Sequence, residues 1–348
     1  MGRSRHSART DERWQTGRAD GRSPNGRHPS HQPIVTRPRA RDPIALREST
    51  VTRGIRIASV ATLASQILIV GTGGAVRLTG SGLGCTTWPS CEPGSFTPVP
   101  EQGIHGIIEF ANRVMGGAVL LIALVMLVLA IVHRRRHPGV LPLAIVVVLG
   151  TIAQALIGAV VVFLHLRPDT VGIHFALSAV LVGVAAWMAW RVFRGRRARF
   201  GGTLAQRALM LGTAVMVPVV VVVGILTTGS GPHAGDGGTA RNGLDPEVMQ
   251  HVHALPAYAL LALAVGLLLV GWRLRPFGIW AGTLLALLVT QATIGIVQSN
   301  LGLPIALVGA HMVLSVMIVA TTVLAALSLR VPAAQGVEVD DVREPVAA

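Results

Sequence analysis

The chain has 348 residues, of which 51% are hydrophobic and only 13% are charged. This composition is too apolar for a soluble globular domain. The formal net charge of +14 would suit a nucleic-acid-binding protein. However, the basic residues, all of them arginine, are sorted by loop and form no groove-reading element, so nucleic-acid binding is not expected.

Residues 1–53 are predicted to form a disordered basic tail. They are rich in Arg, Ser, Pro and Gly and contain few apolar residues, so they cannot bury enough surface to fold. A cleaved signal peptide is not expected, because the first apolar run begins near residue 55 and is long enough to cross a bilayer. Residues 331–348 are expected to form a second, short tail.

Between these tails, apolar runs of about 20 residues recur, the length that crosses about 30 Å of hydrocarbon. The sequence therefore predicts an all-α polytopic membrane protein with eight transmembrane helices. The predicted spans are 55–76, 108–133, 140–164, 171–193, 208–228, 248–272, 279–298 and 305–329.

Arginine indicates the orientation of these spans. It is concentrated in the first tail, in alternate loops and near residues 273–275, whereas the remaining loops hold only Arg77, Arg167 and Arg241. The positive-inside rule then places both termini in the cytoplasm. The exclusive use of arginine is typical of a GC-rich bacterial genome, so a bacterial plasma membrane is the expected location.

Two stretches of the chain carry the same pattern. Gln154 and Gln291 each precede an Ile-Gly pair by three residues and a histidine, His174 or His311, by twenty. We interpret this as a duplication into two repeated four-helix bundles, residues 54–200 and 201–330. Ionisable side chains are rare in hydrocarbon unless they serve a site, so the matched histidines predict two similar sites.

The two cysteines, Cys85 and Cys91, lie in a Gly- and Pro-rich loop predicted to face outward. On the oxidising side of a membrane this spacing favours a small structural disulfide. A redox-active or cofactor-handling pair and free thiols are the alternatives. A metal site is not expected here, because no second Cys or His pair at ligand spacing accompanies them.

The remaining polar candidates gather near the outer ends of spans two, four, six and eight. They are His105, Glu109, Asn112, Arg113, His174, His253 and His311. Bis-imidazole ligation of a haem needs one histidine from each of two facing helices, with apolar side chains covering the macrocycle. Haem is therefore the ligand that this arrangement suits best.

Simpler interpretations remain open for single residues. A membrane histidine often only hydrogen-bonds a neighbouring helix, although the repeat argues against this for His311 and its predicted partner His253. Glu109 can form an interfacial ion pair with Arg113, four residues away, instead of handling protons. His251 has no counterpart in the other unit and is interpreted as a solvated or packing side chain.

At these residues the chain resembles the haem A synthases. The resemblance covers about residues 55–329. It rests on the runs VRLTGSGLGCTTWPSC, IIEFANRV, GILTTGSGPHAGD and HVHALPAY and on the two Gln-to-His segments. Members of that family oxidise the C8 methyl of haem O to the formyl group of haem A by successive hydroxylation and loss of water.

The resemblance implies a role for each of four residues. His253 and His311 match the axial ligands of a haem b in the C-terminal unit. His174 matches a ligand of the substrate haem in the N-terminal unit, and Glu109 matches the catalytic carboxylate.

One position departs from the family pattern. Asn112 stands where the family has a second histidine ligand, and an amide is a poor ligand for haem iron. Either His174 holds the substrate iron alone, or His105 supplies the second ligand.

The resemblance also implies partners. These are a haem O synthase upstream and cytochrome oxidase assembly factors downstream, with membrane lipid around the bundles and a homo-oligomer left open. A di-haem electron-transfer cytochrome fits the same histidines without needing Glu109. A transporter built on the repeat would be expected to show intramembrane Asp or Lys and broken helices.

Overall fold

The computed structural model describes residues 43–195, 199–233 and 235–331. Within these residues, eight helices are long and apolar enough to cross a membrane, so the predicted all-α multi-pass architecture is confirmed. The helices are α1 (Pro43–Leu78), α2 (Gly103–Val132), α3 (Val140–Phe163), α4 (Pro168–Arg194), α5 (Leu204–Ser230), α6 (Pro246–Gly271), α7 (Phe277–Asn300) and α8 (Ile305–Ser328). A short 3-10 helix, Pro100–Gln102, precedes α2, and two-residue strands β1 (Arg199–Phe200) and β2 (Arg330–Val331) pair antiparallel.

The largest difference from the predicted spans is at α1. This helix begins at Pro43, twelve residues before the predicted span, which starts at residue 55. Proline suits the first turn of a helix, and a transmembrane helix that has already formed can be extended at its N-terminal end without a new nucleation step. The remaining tail predictions fall on residues 1–42 and 332–348, which lie outside the described residues.

Each half of the chain forms a closed ring of four helices. In the first bundle α1 to α4 pack in chain order and α4 returns to α1, and α5 to α8 do the same in the second. Between the bundles, α8 packs against α1 and α4, and α5 packs against α4. The internal duplication itself stays a prediction.

The hydrophobic core of each bundle lies towards one end. Following the predicted orientation, we call the end with loops 79–102 and 231–245 the outer end. The first core includes Met126 and Met188, and the second includes Leu267 and Leu284, all in the inner half. Neither cluster extends to the outer half, where His174, His253 and His311 lie. The largest apolar cores therefore pack the inner halves of the two bundles, while a third apolar cluster, which includes Val70, Val182 and Val316, packs between the bundles.

The outward-facing surfaces of the helices carry many exposed large apolar side chains, as expected of a surface in contact with lipid. At the inner end, Arg273 lies over the Trp272 ring at 4.7 Å and Arg194 over Trp190 at 5.6 Å. Tryptophan and arginine are typical of the bilayer interface. The cytoplasmic position of the termini stays a prediction.

Candidate functional site

The repeated Gln and Gly positions contact the histidine that follows them. In the first bundle Gln154 Nε2 donates to the carbonyl of His174 at 2.8 Å, which joins α3 to α4. One turn further along α3, a β-carbon at Gly158 would lie 3.6 Å from His174 Cε1. The glutamine thus fixes the position of α4 along α3, and the glycine leaves room for the imidazole.

The second bundle repeats these contacts on α7 and α8. Gln291 Nε2 donates to the carbonyl of His311 at 3.0 Å, and a β-carbon at Gly295 would lie 3.2 Å from His311 Cε1. The repeated sequence pattern therefore corresponds to a repeated set of contacts, a glutamine hydrogen bond and a glycine next to the ring, that positions one imidazole in the outer half of each bundle.

His253 and His311 face each other across the second bundle. Their helices, α6 and α8, are diagonal and make no direct backbone packing, yet the ring centroids are 6.4 Å apart with an interplanar angle of 69°. A metal ion between two imidazoles lies about 2 Å from each ligating nitrogen, which puts the centroids roughly 6 to 6.5 Å apart. The observed separation therefore matches the one expected for two imidazoles that hold one metal ion between them.

The hydrogen-bonding state of these rings agrees with this interpretation. The Nδ1 atoms of His253 and His311 are buried and have no hydrogen-bond partner among the described residues. Buried polar atoms are normally paired, so the described residues leave one nitrogen of each imidazole without its usual partner. A β-carbon at Gly224 would lie 3.0 Å from His253 Cε1, so α5 also leaves room for the ring. The residues present fit a haem held by two histidines.

The predicted disulfide is confirmed at the outer end of the first bundle. Cys85 and Cys91 are joined and both are fully buried. The preceding residue, Gly84, lies so close to the first turn of α2 that a β-carbon there would overlap the backbone of His105. The disulfide loop is therefore pressed onto the start of α2.

Glu109 and Arg113 fasten this loop to α2. Glu109 is only 5% exposed, and its Oε2 accepts the Cys85 backbone N–H at 2.7 Å. Its Oε1 pairs with Arg113 at 2.6 Å. The same guanidinium donates to the carbonyls of Thr87 and Ser90 inside the disulfide ring, at 2.8 and 3.0 Å. The ion pair offered by the simpler interpretation is formed, and the catalytic role of Glu109 stays a prediction.

Two further candidates lie on the same helix and have other partners. Asn112 Oδ1 accepts the Thr72 hydroxyl of α1 at 2.7 Å. His105 is exposed in the first turn of α2, with Nδ1 2.8 Å from Ser81 Oγ. Within the described chain, no hydrogen bond or ring contact joins either residue to His174, whose Nδ1 is buried and unpaired. His174 is therefore the candidate histidine that the structure buries within the first bundle.

Replacing both Cys85 and Cys91 with serine is expected to lower the free energy of unfolding by roughly 2 to 3 kcal/mol, because the disulfide restricts the unfolded chain. The activity of the folded fraction should persist if the bond is a structural staple. Thermal unfolding in detergent, together with the activity per folded molecule, measures both effects. Normal stability with loss of activity would instead favour the cofactor-handling role.

Comparison with known proteins shows the family to which the chain belongs. Residues 56–323 match the family described as cytochrome oxidase assembly protein. The chain belongs to this family. The resemblance to the haem A synthases is confirmed by curated family members that carry the name Heme A synthase.

Three of these relatives indicate how far the similarity extends. The Listeria monocytogenes protein is 28% identical over 166 residues, 47% of this chain and 52% of its own length. The Geobacillus kaustophilus protein is 28% identical over 131 residues, which are 38% of this chain and 40% of that protein. The Bacillus cereus protein is 34% identical over 117 residues, which are 33% of this chain and 37% of that protein. The chain thus spans about half or less of the length of the curated relatives it matches.

Several residues around these family motifs have no role in the sequence prediction. Gly224 borders the His253 ring, and Thr72 binds Asn112. A glycine inside a helix is less stabilising than alanine, so its presence can indicate that another group packs closely there. This signal could have identified Gly224 as a residue that lies next to the site. A threonine in a membrane helix often bonds its own backbone, so Thr72 gave no comparable signal.

Proposed function

We propose that this protein is a haem A synthase, which oxidises the C8 methyl of haem O to a formyl group by successive hydroxylation and loss of water. The observation that carries the proposal is the pair of imidazoles, His253 and His311, that face each other across a membrane bundle with their ring centroids 6.4 Å apart. Family membership and relatives named Heme A synthase support it.

In the second bundle, His253 and His311 would hold a haem b. His253 lies on α6 and His311 lies on α8. The packed inner core and the Gln291 hydrogen bond hold these helices in place, so the separation of the two rings would be set before a ligand binds. When bound, this haem supplies one-electron chemistry. The apolar inner core beneath the pair limits the access of water from that side.

In the first bundle, His174 would hold the substrate haem O by its iron. Asn112 cannot replace an imidazole ligand, and its amide oxygen already accepts a hydrogen bond from Thr72. Unless His105 supplies a second ligand, the substrate iron would therefore be held by fewer protein ligands than the iron in the second bundle. We expect the two sites to differ in their spectra for this reason.

Glu109 is the residue proposed to act on the substrate. A carboxylate beside the reacting methyl group can accept a proton or stabilise positive charge as the carbon is oxidised. Cys85 and Arg113 hold both carboxylate oxygens in a fixed position. The backbone N–H of Cys85, which does not depend on the sulfur, would thus help to orient Glu109.

The proposed activity needs a supplier of haem O and a user of haem A. We propose a haem O synthase and cytochrome oxidase assembly factors in these roles, in a bacterial plasma membrane with both termini cytoplasmic. The exposed apolar helix faces would contact lipid.

Haem extraction from cells with and without this protein tests the proposal. Haem A should appear only in cells that contain the protein, with haem O falling in proportion. A protein that carries a bis-histidine haem but leaves the haem O content unchanged would be an electron-transfer cytochrome instead.

Substituting His105 with alanine is expected to alter the spectrum of the substrate haem and leave the haem b signal intact, if His105 is the second ligand. The matched control is Ser81→Ala, which removes the hydrogen-bond partner of Nδ1 but keeps the imidazole. Optical spectra recorded with haem O bound make the measurement. If His105→Ala changes neither the spectrum nor the turnover, His174 is the only protein ligand that these residues supply.

A further inference from the structure

Arg77 is a partly buried cation near the outer end of α1 that reaches into the second bundle. Its Nε donates to the carbonyl of His233 at 2.8 Å, and one terminal nitrogen donates to the carbonyl of Thr228 at 3.2 Å. Among the described residues, no carboxylate lies within 4.0 Å of its guanidinium. A cation in such a place is costly unless an anion pairs with it.

Arg77 is connected to His253 through contacts on α5. Thr228 lies one helical turn outward of Gly224 on α5, and its hydroxyl donates to the Gly224 carbonyl at 2.8 Å. Gly224 in turn borders the His253 ring. Thr228, whose carbonyl accepts from Arg77, therefore lies about one turn, roughly 6 Å along the helix, outward of the glycine that His253 contacts.

The depth of Arg77 relative to His311 follows from a contact on α8. Leu78, the residue after Arg77, packs against Gly309, where a β-carbon would lie 3.4 Å from the leucine side chain. Gly309 precedes His311 by two residues on α8. Gly309 and His311 lie on different faces of α8, so this contact fixes depth alone: Arg77 lies at about the level of His311, towards its outer side.

A second cation increases the need for an anion here. Arg241 is close enough to Arg77 for their like charges to repel. It is exposed, and one of its terminal nitrogens donates to the carbonyl of Pro232 at 2.8 Å, again a neutral acceptor. A bound anion would offset this repulsion.

We infer that Arg77 binds a propionate carboxylate of the haem held by His253 and His311. This inference rests on the proposed function. A haem carries two carboxylates on one edge of an otherwise apolar ring, and that edge is the one that would face the polar outer end. The guanidinium is suited to a carboxylate, because it offers several donors in a planar fork and keeps its charge when buried.

A competition experiment on haem-loaded, full-length protein tests the inference. The purified protein is equilibrated with equal excesses of haem b and haem b dimethyl ester, whose propionates carry no charge. The ratio of bound porphyrins is then read by mass spectrometry. A His174→Ala background restricts binding to the second bundle. The protein with Arg77 should prefer the free acid by about tenfold, the size of one charge-assisted hydrogen bond.

In the same background, Arg77→Gln should bind the acid and the ester about equally, and Arg77→Lys should keep part of the preference. Arg167→Gln is the matched control, since Arg167 is exposed near the outer end and pairs with Asp169 at 2.9 Å. It should keep the full preference. Lysine retains the cation, so this comparison remains informative if the glutamine variant folds poorly.

Equal binding of acid and ester with Arg77 intact, or an unchanged preference in Arg77→Gln, would contradict the inference. Either result would leave Arg77 as a tie between the bundles or as a site for another anion such as a lipid phosphate. Bound bis-histidine haem without acid preference contradicts this inference alone. Absence of any such haem contradicts the proposed function as well.

Discussion

Replacing either His253 or His311 with alanine is expected to abolish the bis-histidine haem spectrum of the purified protein. The rings lie 6.4 Å apart between centroids, so each would supply one ligand to the proposed haem iron and neither could replace the other. Loss of one imidazole would change the coordination of the iron and therefore its spectrum. Optical and electron paramagnetic resonance spectra of the two variants measure this change.

His251→Ala is the matched control for this experiment. His251 lies two residues before His253 on α6, but it is exposed and its Nδ1 lies 2.9 Å from the Glu247 carbonyl. This variant should keep the full spectrum. An unchanged bis-histidine spectrum in both His253→Ala and His311→Ala would refute the ligand assignment.

The second large effect is expected at Glu109. Glu109→Gln should keep the protein level and the haem content but lower haem A formation by at least about 100-fold, the usual contribution of a positioned acid or base. Glutamine preserves the size of the side chain and an oxygen acceptor for the Cys85 N–H, but it removes the charge and the capacity to take a proton. Chromatography of extracted haems measures both the product and the hydroxylated intermediate.

The rival role of Glu109 is the clamp between the disulfide loop and α2, shared with Arg113. A purely structural role predicts a lower unfolding temperature, with normal haem A output from the molecules that fold. Glu101→Gln serves as the control, because Glu101 is exposed just before α2. Normal haem A formation by Glu109→Gln would leave this residue with the structural role alone.

The sequence predicts those parts of the fold that depend on local composition. Each apolar run became a membrane helix, because hydrocarbon requires a segment to satisfy its own backbone hydrogen bonds. The start of α1 at Pro43 was missed, because an argument from burial does not detect a polar helical extension of a membrane span. The Cys85–Cys91 pairing was predictable since the two residues are near in sequence and the loop was placed outward.

One part of the candidate site is predictable from a comparison of the two halves of the chain. The matched Gln-to-His spacing identified His174 and His311, but it did not show that the glutamine side chain binds the histidine carbonyl. The contacts of Arg77 involve residues about 150 positions away, and those of Arg113 depend on how a loop folds back onto α2. Such contacts depend on tertiary packing, which no local pattern encodes.

The most direct test of the central claim is haem analysis of the purified protein by chromatography and mass spectrometry, after incubation with haem O and a source of electrons and oxygen. We expect bound haem b together with haem O, its hydroxylated intermediate and haem A, with haem A increasing over time. Recovery of haem b alone, with added haem O unchanged, would contradict it.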